Sequence, residues 1–475
     1  MTAARPSRPG LPVGPALARI PFPLVDEMSR HGQRPGEPIA VHMEIRLPGQ
    51  PDPARLRAAF RTALRRHARV LVREAPRPWY GRRYEWELTA APDVEPVGFP
   101  PPGPDALARA RTRALAETPP LSLSPPVRLD VIRSSATSGG CVLLCTIHHT
   151  ALDGPSFLRV LATAAESYSG TDSTPVPERT GPPDAAAGPQ SPALDPGRPP
   201  ARSARVAPAP AALARRRRGN GVVLGELPIH PRPPGADHTV NDRLLVATCL
   251  TIARWNRLHA APTRPIRITM PVDDRPRGAE MPIGNGTRLV EVAFGSREYA
   301  NEPSPEAIVA LLRRTARRTR QLRAAPRPPL GHGAALLTAP VLPVDLRASI
   351  TRGLGRAFGP WTSTTLLSNL GRIPYPLDFG DAGRADAVWV SAPTRMPRGL
   401  TITTTGIAGR LHVGLRWSRA LLDDAAGRRL YGFFADYLDT VSAAALAAGP
   451  VVAPAVDPLA TPVVNPAVAR EGGPG

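Results

Sequence analysis

Two adjacent histidines, His148 and His149, stand at the end of a short apolar run, Cys141-Val-Leu-Leu-Cys-Thr-Ile147, with Asp153 and Gly154 close behind. An imidazole titrates near pH 6.5, so it can take up a proton and hand it on at neutral pH, which is general acid–base chemistry. The apolar run reads as a strand buried on both faces. Side chains alternate across a strand, so only one histidine of the pair can point toward a common site. Pro155 suits the first turn of a helix, and Phe157, Leu158, Leu161, Ala165 and Tyr168 continue it at near-helical spacing. A carboxylate four residues past an imidazole has two readings: it polarises the ring as a triad member, or it holds the loop.

The segment His148-His149-Thr-Ala-Leu-Asp153-Gly154 matches the HHxxxDG signature, and here the chain resembles the condensation-domain and chloramphenicol-acetyltransferase-like acyltransferase superfamily. The resemblance implies an α/β fold of two chloramphenicol-acetyltransferase-like lobes, a pseudo-dimer with a tunnel at the interface, over about residues 35–445. It implies acyl transfer from a coenzyme A or carrier-protein thioester to a hydroxyl or an amine. His149 would be the general base, with His148 and Asp153 in the same constellation. In the superfamily's usual arrangement this Asp turns away and pairs with an arginine. The P-V-x-x-R pattern occurs at Pro271-Val-Asp-Asp-Arg275, making Arg275 the candidate partner, and Gly154 would give the backbone room. Ser368-Asn369-Leu-Gly371 resembles the SN-x-G segment, either an oxyanion or substrate contact or a polar turn ending a strand. Asn285 resembles the Gly-Asn position near the lobe crossover. Acyl-CoA or a phosphopantetheinyl thioester would be co-substrate, with no bound cofactor and no metal. An acyl or peptidyl carrier protein would be the alternative donor.

Some superfamily marks are missing. The segment Ile20–Arg30 lacks the S-x-A-Q-x-R motif, and Asp378-Phe379-Gly380 is followed by Asp381-Ala382 where DFGWG is usual. No carrier-attachment motif or adenylation region is recognisable. These departures point to a free-standing member working in natural-product or lipid biosynthesis. An inactive module that binds carrier proteins is the alternative.

The bulk composition narrows the chemistry further. The 475 residues suit two domains. All 60 basic residues are arginine, which excludes a lysine Schiff base. A net charge of +21 admits an acidic partner, whereas 5% aromatics and no nucleic-acid motif argue against base stacking. Cys141 and Cys145 lie too far apart along one strand to bridge, and no Cys/His cluster has zinc spacing. No apolar run is long enough to span a membrane, and no leader is recognisable, so a reduced, cytoplasmic protein is expected.

In chain order, residues 1–20 read as a flexible N-terminus and 21–169 as the lobe carrying the histidines. Residues 170–219, rich in Pro, Ala, Gly, Ser and Arg, read as a disordered linker. Residues 220–448 read as the second lobe and 449–475 as a disordered tail. Asp52-Pro53 and Thr239 are expected helix N-caps. Ala408-Gly409 is expected to close a hairpin whose second strand exposes His412. His67 is placed on or beside the apolar face of a helix, and His238 and His332 have no assigned role.

Overall fold

The computed structural model describes residues 14–34, 37–133, 139–171, 201–215, 218–232, 235–278, 280–324 and 332–448. The first half runs β1 (Ala16–Pro21), α1 (Leu24–His31), β2 (Ala40–Leu47), α2 (Pro53–Arg66), β3 (Val72–Glu74) and β4 (Glu85–Thr89). It continues through β5 (Val97–Gly98), α3 (Ala106–Ala116), β6 (Val127–Arg133), β7 (Cys141–His148) and α4 (Gly154–Ser169). The second half runs α5 (Pro210–Arg215), β8 (Asn220–Pro228), α6 (Val240–Leu258), β9 (Ile266–Asp273), β10 (Thr287–Phe294) and α7 (Pro305–Ala324). It closes with α8 (His332–Thr338), α9 (Val344–Ala357), β11 (Thr365–Arg372), β12 (Ala387–Ser391), β13 (Leu400–Ile407), β14 (Arg410–Ser418) and α10 (Asp424–Ala447).

Two sheets anchor two lobes. The first is ordered β12-β2-β7-β6-β5, the second β10-β9-β11-β13-β14-β8, and a small β1-β4-β3 sheet flanks the first lobe. On β7, Cys141, Leu143, Cys145 and Ile147 face a core shared with Leu56, Phe60 and Leu64 of α2 and Phe157, Val160 and Leu161 of α4. Leu144 on the opposite face packs with Ala106, Ala110 and Ala114 of α3. Each fully buried Leu, Ile or Phe there contributes about 1.5–3 kcal/mol, so β7 is held from both sides and its end is a fixed platform. In the second lobe α6, α7 and α10 cover the larger sheet, with Trp255, Trp417 and Phe434 in the core.

The local signals are realised. Asp52 accepts from Arg55 N at the start of α2. Thr239 and Asp242 form a reciprocal capping box on α6. Ala408 and Gly409 both take positive φ, 49° and 73°, as a two-residue turn between twisted strands requires.

Four expectations change. Strand β12 belongs to the first lobe's sheet, pairing antiparallel with β2 from Ala387↔Arg46 to Ser391↔His42. Without it, β2 would be an unpaired edge with Met43 and Ile45 buried behind it, a template for unwanted pairing. Residues 201–215 pack on the second lobe: Ala204, Val206, Ala207, Ala209 and Ala212 are buried there. Within the stretch 170–219, only 172–200 and 216–217 lie outside the described residues. Small side chains without periodicity can lie flat against a helix, and Trp255 Nε1 fixes this stretch by donating to Ala207 O. Residues 16–20, expected to be loose, pair with β4. His412, expected in solvent, is 1% exposed with its ring edge-on to Trp389 at 5.0 Å, because β12 crosses that face of β14. The expected tail, 449–475, lies outside the described residues.

Candidate active site

Strand β7 ends at His148, and the turn that follows carries His149 outward before α4 begins. His148 is used up by the protein. Its Nδ1 accepts from Thr150 N at 3.1 Å, and Nε2 lies 3.1 Å from the side-chain amide of Gln33, whose oxygen and nitrogen exchange by a half-turn. Burial, reinforced by the charges of Arg30 and His149, pulls its pKa down to about 3. His148, grouped with the catalytic residues from sequence, is thus a neutral positioning residue with no nitrogen left for chemistry.

His149 is different. Its backbone N–H donates to Ile39 O, which ties the turn to the lead-in of β2. Among the described residues its Nδ1 is buried without a hydrogen bond of full geometry, Nε2 has no side-chain partner and is not sealed, and the backbone at His149 and Leu152 interacts with the ring. Burial pulls the ring below its usual pKa; the Asp153 carboxylate opposes this and the Arg395 guanidinium reinforces it. A neutral imidazole whose open nitrogen is Nε2 is what a general base needs.

Asp153 does not touch the ring. One oxygen caps α4 by accepting from Ser156 N at 2.9 Å. The other accepts from Arg275 Nη2 at 2.7 Å and from Gly286 N at 3.0 Å. The triad alternative is therefore corrected: Asp153 shapes the loop and acts on His149 only through space. Arg275 is a hub, giving Nε to Asp273 at 2.8 Å and Nη1 to Ser156 Oγ, Pro282 O and Gly284 O. A Cβ on Gly286 would sit 2.5 Å from Arg275 Cδ, so glycine is required there. A Cβ on Gly154 would meet only Leu370 Cδ2 at 3.6 Å and Val390 Cγ1 at 4.0 Å. The expected need for backbone room at Gly154 is not present.

Asn285, a substrate or oxyanion candidate from sequence, is instead a clamp. Its Nδ2 donates to Asp26 Oδ1 at 2.9 Å, His149 O at 3.1 Å and Thr150 O at 2.9 Å. Asp26 is fully buried and also accepts from Trp86 Nε1 and Arg69 Nη2; desolvation nonetheless raises its pKa. Removing a donor from such a group costs about 1–3 kcal/mol. Asn285→Ala should therefore lower the unfolding free energy by that amount, read as a lower denaturation midpoint, and Asn285→Asp, which sets a second carboxylate against Asp26, should be worse. Equal midpoints for wild type and Asn285→Ala would contradict the clamp.

Ser368 and Asn369 lie on β11, the strand whose Leu370 packs over Gly154. Asn369 Oδ1 accepts from Gly371 N at 2.9 Å and Thr404 Oγ1 at 3.0 Å. Its oxygen is thus committed to fixing this strand end, while its Nδ2 lies 3.4 Å from Asn241 Oδ1 and keeps a second hydrogen to donate. Ser368 is half-buried, and no described group bonds its hydroxyl.

Residues that sequence reasoning missed are Gln33, Ser156, Asp26 and Arg395. Of these only Ser156 left a signal, as the third residue after a capping Asp. The three cysteines are buried, and desolvation raises their thiols, Cys141 to about 12, which makes them poor nucleophiles. Among the described residues no group of three or more His, Cys, Asp or Glu is placed to hold a metal ion. No described helix is long and apolar enough to cross a membrane.

Buried neutral histidines also set the acid stability. His67 donates to or accepts from Thr163 Oγ1 at 2.8 Å, and burial, with Arg159 and Arg66, pulls it down to about 4. In the unfolded chain His67 and His148 take up protons below about pH 6.5, but in the folded chain only near 4 and 3. Their contribution is complete above pH 6.5 and is lost as pH falls toward those values, because the unfolded state binds more protons in that window. The urea midpoint should fall between pH 7 and pH 5, and His67→Gln should flatten that slope. A midpoint constant over this range would contradict it.

With the geometry in place, comparisons define the class. No family model matches the sequence. An uncharacterized protein of Mycobacterium tuberculosis is 29% identical over 451 residues, 85% of this chain and 94% of that protein. Among solved structures, the first condensation domain of the calcium-dependent antibiotic synthetase, in complex with a substrate analogue, superposes with TM-score 0.58 at 15% identity, covering 90% of this chain and 97% of its own. The trichothecene 15-O-acetyltransferase of Fusarium sporotrichioides gives TM-score 0.59 at 11% identity, covering 92% and 100%. The condensation domain of the monacolin K polyketide synthase gives 0.57 at 12% identity over 91% and 98%. The chain thus has the two-lobed α/β fold of condensation domains and chloramphenicol-acetyltransferase-like acyltransferases.

Proposed function

We propose that this protein is an acyltransferase that moves an acyl group from a coenzyme A or carrier-protein thioester to a hydroxyl or amine, with His149 as general base. The observation that carries this reading is a neutral imidazole with an open Nε2, fixed at a strand end by contacts from both lobes. His149 Nε2 takes the proton of the attacking hydroxyl or amine as that atom bonds to the thioester carbonyl carbon. The tetrahedral intermediate collapses, the carbon–sulfur bond breaks, and the imidazolium returns its proton to the leaving thiolate. A ring held below its usual pKa is unprotonated at neutral pH and gives its proton up readily. No acyl-enzyme is needed, consistent with the buried thiols. The binding-module alternative has no observation of its own here, since the histidine and its supports are complete.

The test is mass spectrometry of full-length protein incubated with acyl-CoA or acyl-pantetheine thioesters and a set of small alcohols and amines. Ester or amide products that need wild-type protein support the reading; release of free acid alone would replace it with hydrolysis. Because the base is active when neutral and its pKa is depressed, the rate should hold level from pH 8 down past 6.5 and decline only below. A decline centred above pH 7 would assign the base to another group.

A further inference from the structure

Resting on the acyl-transfer reading, we infer that Arg395 binds a carboxylate on one of the reactants, so that this enzyme works on an acid rather than a neutral molecule. Arg395 lies in the loop between β12 and β13 and is anchored at one corner: Nη1 donates to Gly32 O at 2.6 Å. Gly32 immediately precedes Gln33, whose amide meets His148 and Thr150 Oγ1, so this guanidinium sits beside the histidine turn. Its other edge, Nε and Nη2, has no partner among the described residues, yet neither atom is sealed. That edge is the side-on fork that accepts both oxygens of a carboxylate in parallel.

The surroundings leave this fork unneutralised. Arg34 Nη1 donates to Met396 O, and Arg398 Nε donates to Ser363 Oγ at 3.1 Å. Among the described residues no ion pair uses Arg34, Arg395 or Arg398. Glu37 is the opposing carboxylate. It interacts with Arg395 through space beyond ion-pair reach, one oxygen is 3.4 Å from Met396 N, and the other is buried without a partner. Glu291 acts likewise on Arg398. Burial lowers Arg395, and it lowers Arg398 to about 10 with help from Arg395 and Arg205. Clustered cations that depress one another gain from an anion placed between them.

Position selects the anion. Arg395 is near enough to act on the His149 ring, where the thioester carbonyl must lie. A pantetheine arm keeps its phosphate a full arm's length from that carbonyl, so the donor phosphate is excluded. What remains is a carboxylate close to the reacting atoms, carried by the acceptor (a hydroxy or amino acid) or by the acyl group (the half-thioester of a diacid).

The experiment compares matched pairs on the full chain by calorimetric titration: 3-hydroxybutyrate against its amide for the acceptor, and succinyl-pantetheine against its terminal amide for the acyl group. In one arm the acid should bind at least about ten-fold more tightly than the amide. Arg395→Gln should bring that ratio close to one, Arg395→Lys should keep part of it, and His149→Ala should keep it whole. Non-specific attraction of acids to a chain of charge +21 would survive Arg395→Gln, so an unchanged ratio in that variant overturns the inference. A wild-type ratio of one in both arms overturns it as well. Failure of the base reading shows separately, as transfer that persists in His149→Ala while the acid preference stands or falls on Arg395.

Discussion

His149→Ala should cut acyl transfer by about 10²–10⁴-fold, the span over which a positioned general base contributes. The fold should survive, because truncation removes no side-chain partner and only the ring's contact with the backbone at His149 and Leu152. Neither ring nitrogen has a side-chain partner among the described residues, and the backbone bond to Ile39 O remains. The loss should appear in kcat, with acyl-donor binding little changed, since proton transfer is made only in the transition state. His148→Ala should behave otherwise. It strips Thr150 N and Gln33 of their partner, so instability should accompany the fall in rate. Histidines of equal effect on rate and stability would mean that their roles are not divided.

The second large effect is on folding. Asp153→Ala leaves Arg275 with Asp273 as its remaining carboxylate, removes the cap on α4 and strips Gly286 N of its acceptor. Breaking one member of a buried pair costs about 3–5 kcal/mol, mostly from the charge left behind. Arg275→Ala should cost at least as much, since it strands Asp153 and Asp273 together and releases the loop at Gly284. The double variant should fall short of the sum, with a coupling of about 0.5–3 kcal/mol. Urea midpoints of the four proteins give that coupling; strict additivity would show that the two side chains do not act as a unit.

Much of this was legible in the chain because it is local. The apolar run into His148-His149, the caps at Asp52 and Thr239 and the turn at Ala408-Gly409 each depend on residues within a few positions. The Asp153–Arg275 pair spans two lobes and still came through, but by resemblance: nothing in the spacing joins residues 153 and 275. What stayed hidden is long-range. Ala387-Val-Trp-Val-Ser391 does not say which sheet it joins, and that choice buries His412 and sets the loop that brings Arg395 to the histidine turn. Asn285 and Asn369 became substrate or oxyanion candidates through their resemblance to the superfamily's Gly-Asn and SN-x-G positions. The acceptors of Asn285, Asp26 and the His149 and Thr150 carbonyls, lie on elements distant in sequence, as does Thr404, which donates to Asn369 Oδ1 together with the neighbouring Gly371 N. The packing of 201–215 escaped for the same reason, since Pro- and Ala-rich chain has the composition of a linker whether or not a surface is there to receive it.

Direct transfer without an acyl-enzyme, through one open imidazole nitrogen, can be read from intact-protein mass spectra taken during a single turnover. A thioester donor is mixed with excess enzyme and an acceptor that supports turnover. Product should appear as the donor disappears, the protein mass should stay unchanged throughout, and His149→Ala should leave donor intact over the same interval. A protein peak heavier by the acyl group, or product formed by the His149→Ala protein at the wild-type rate, would contradict it.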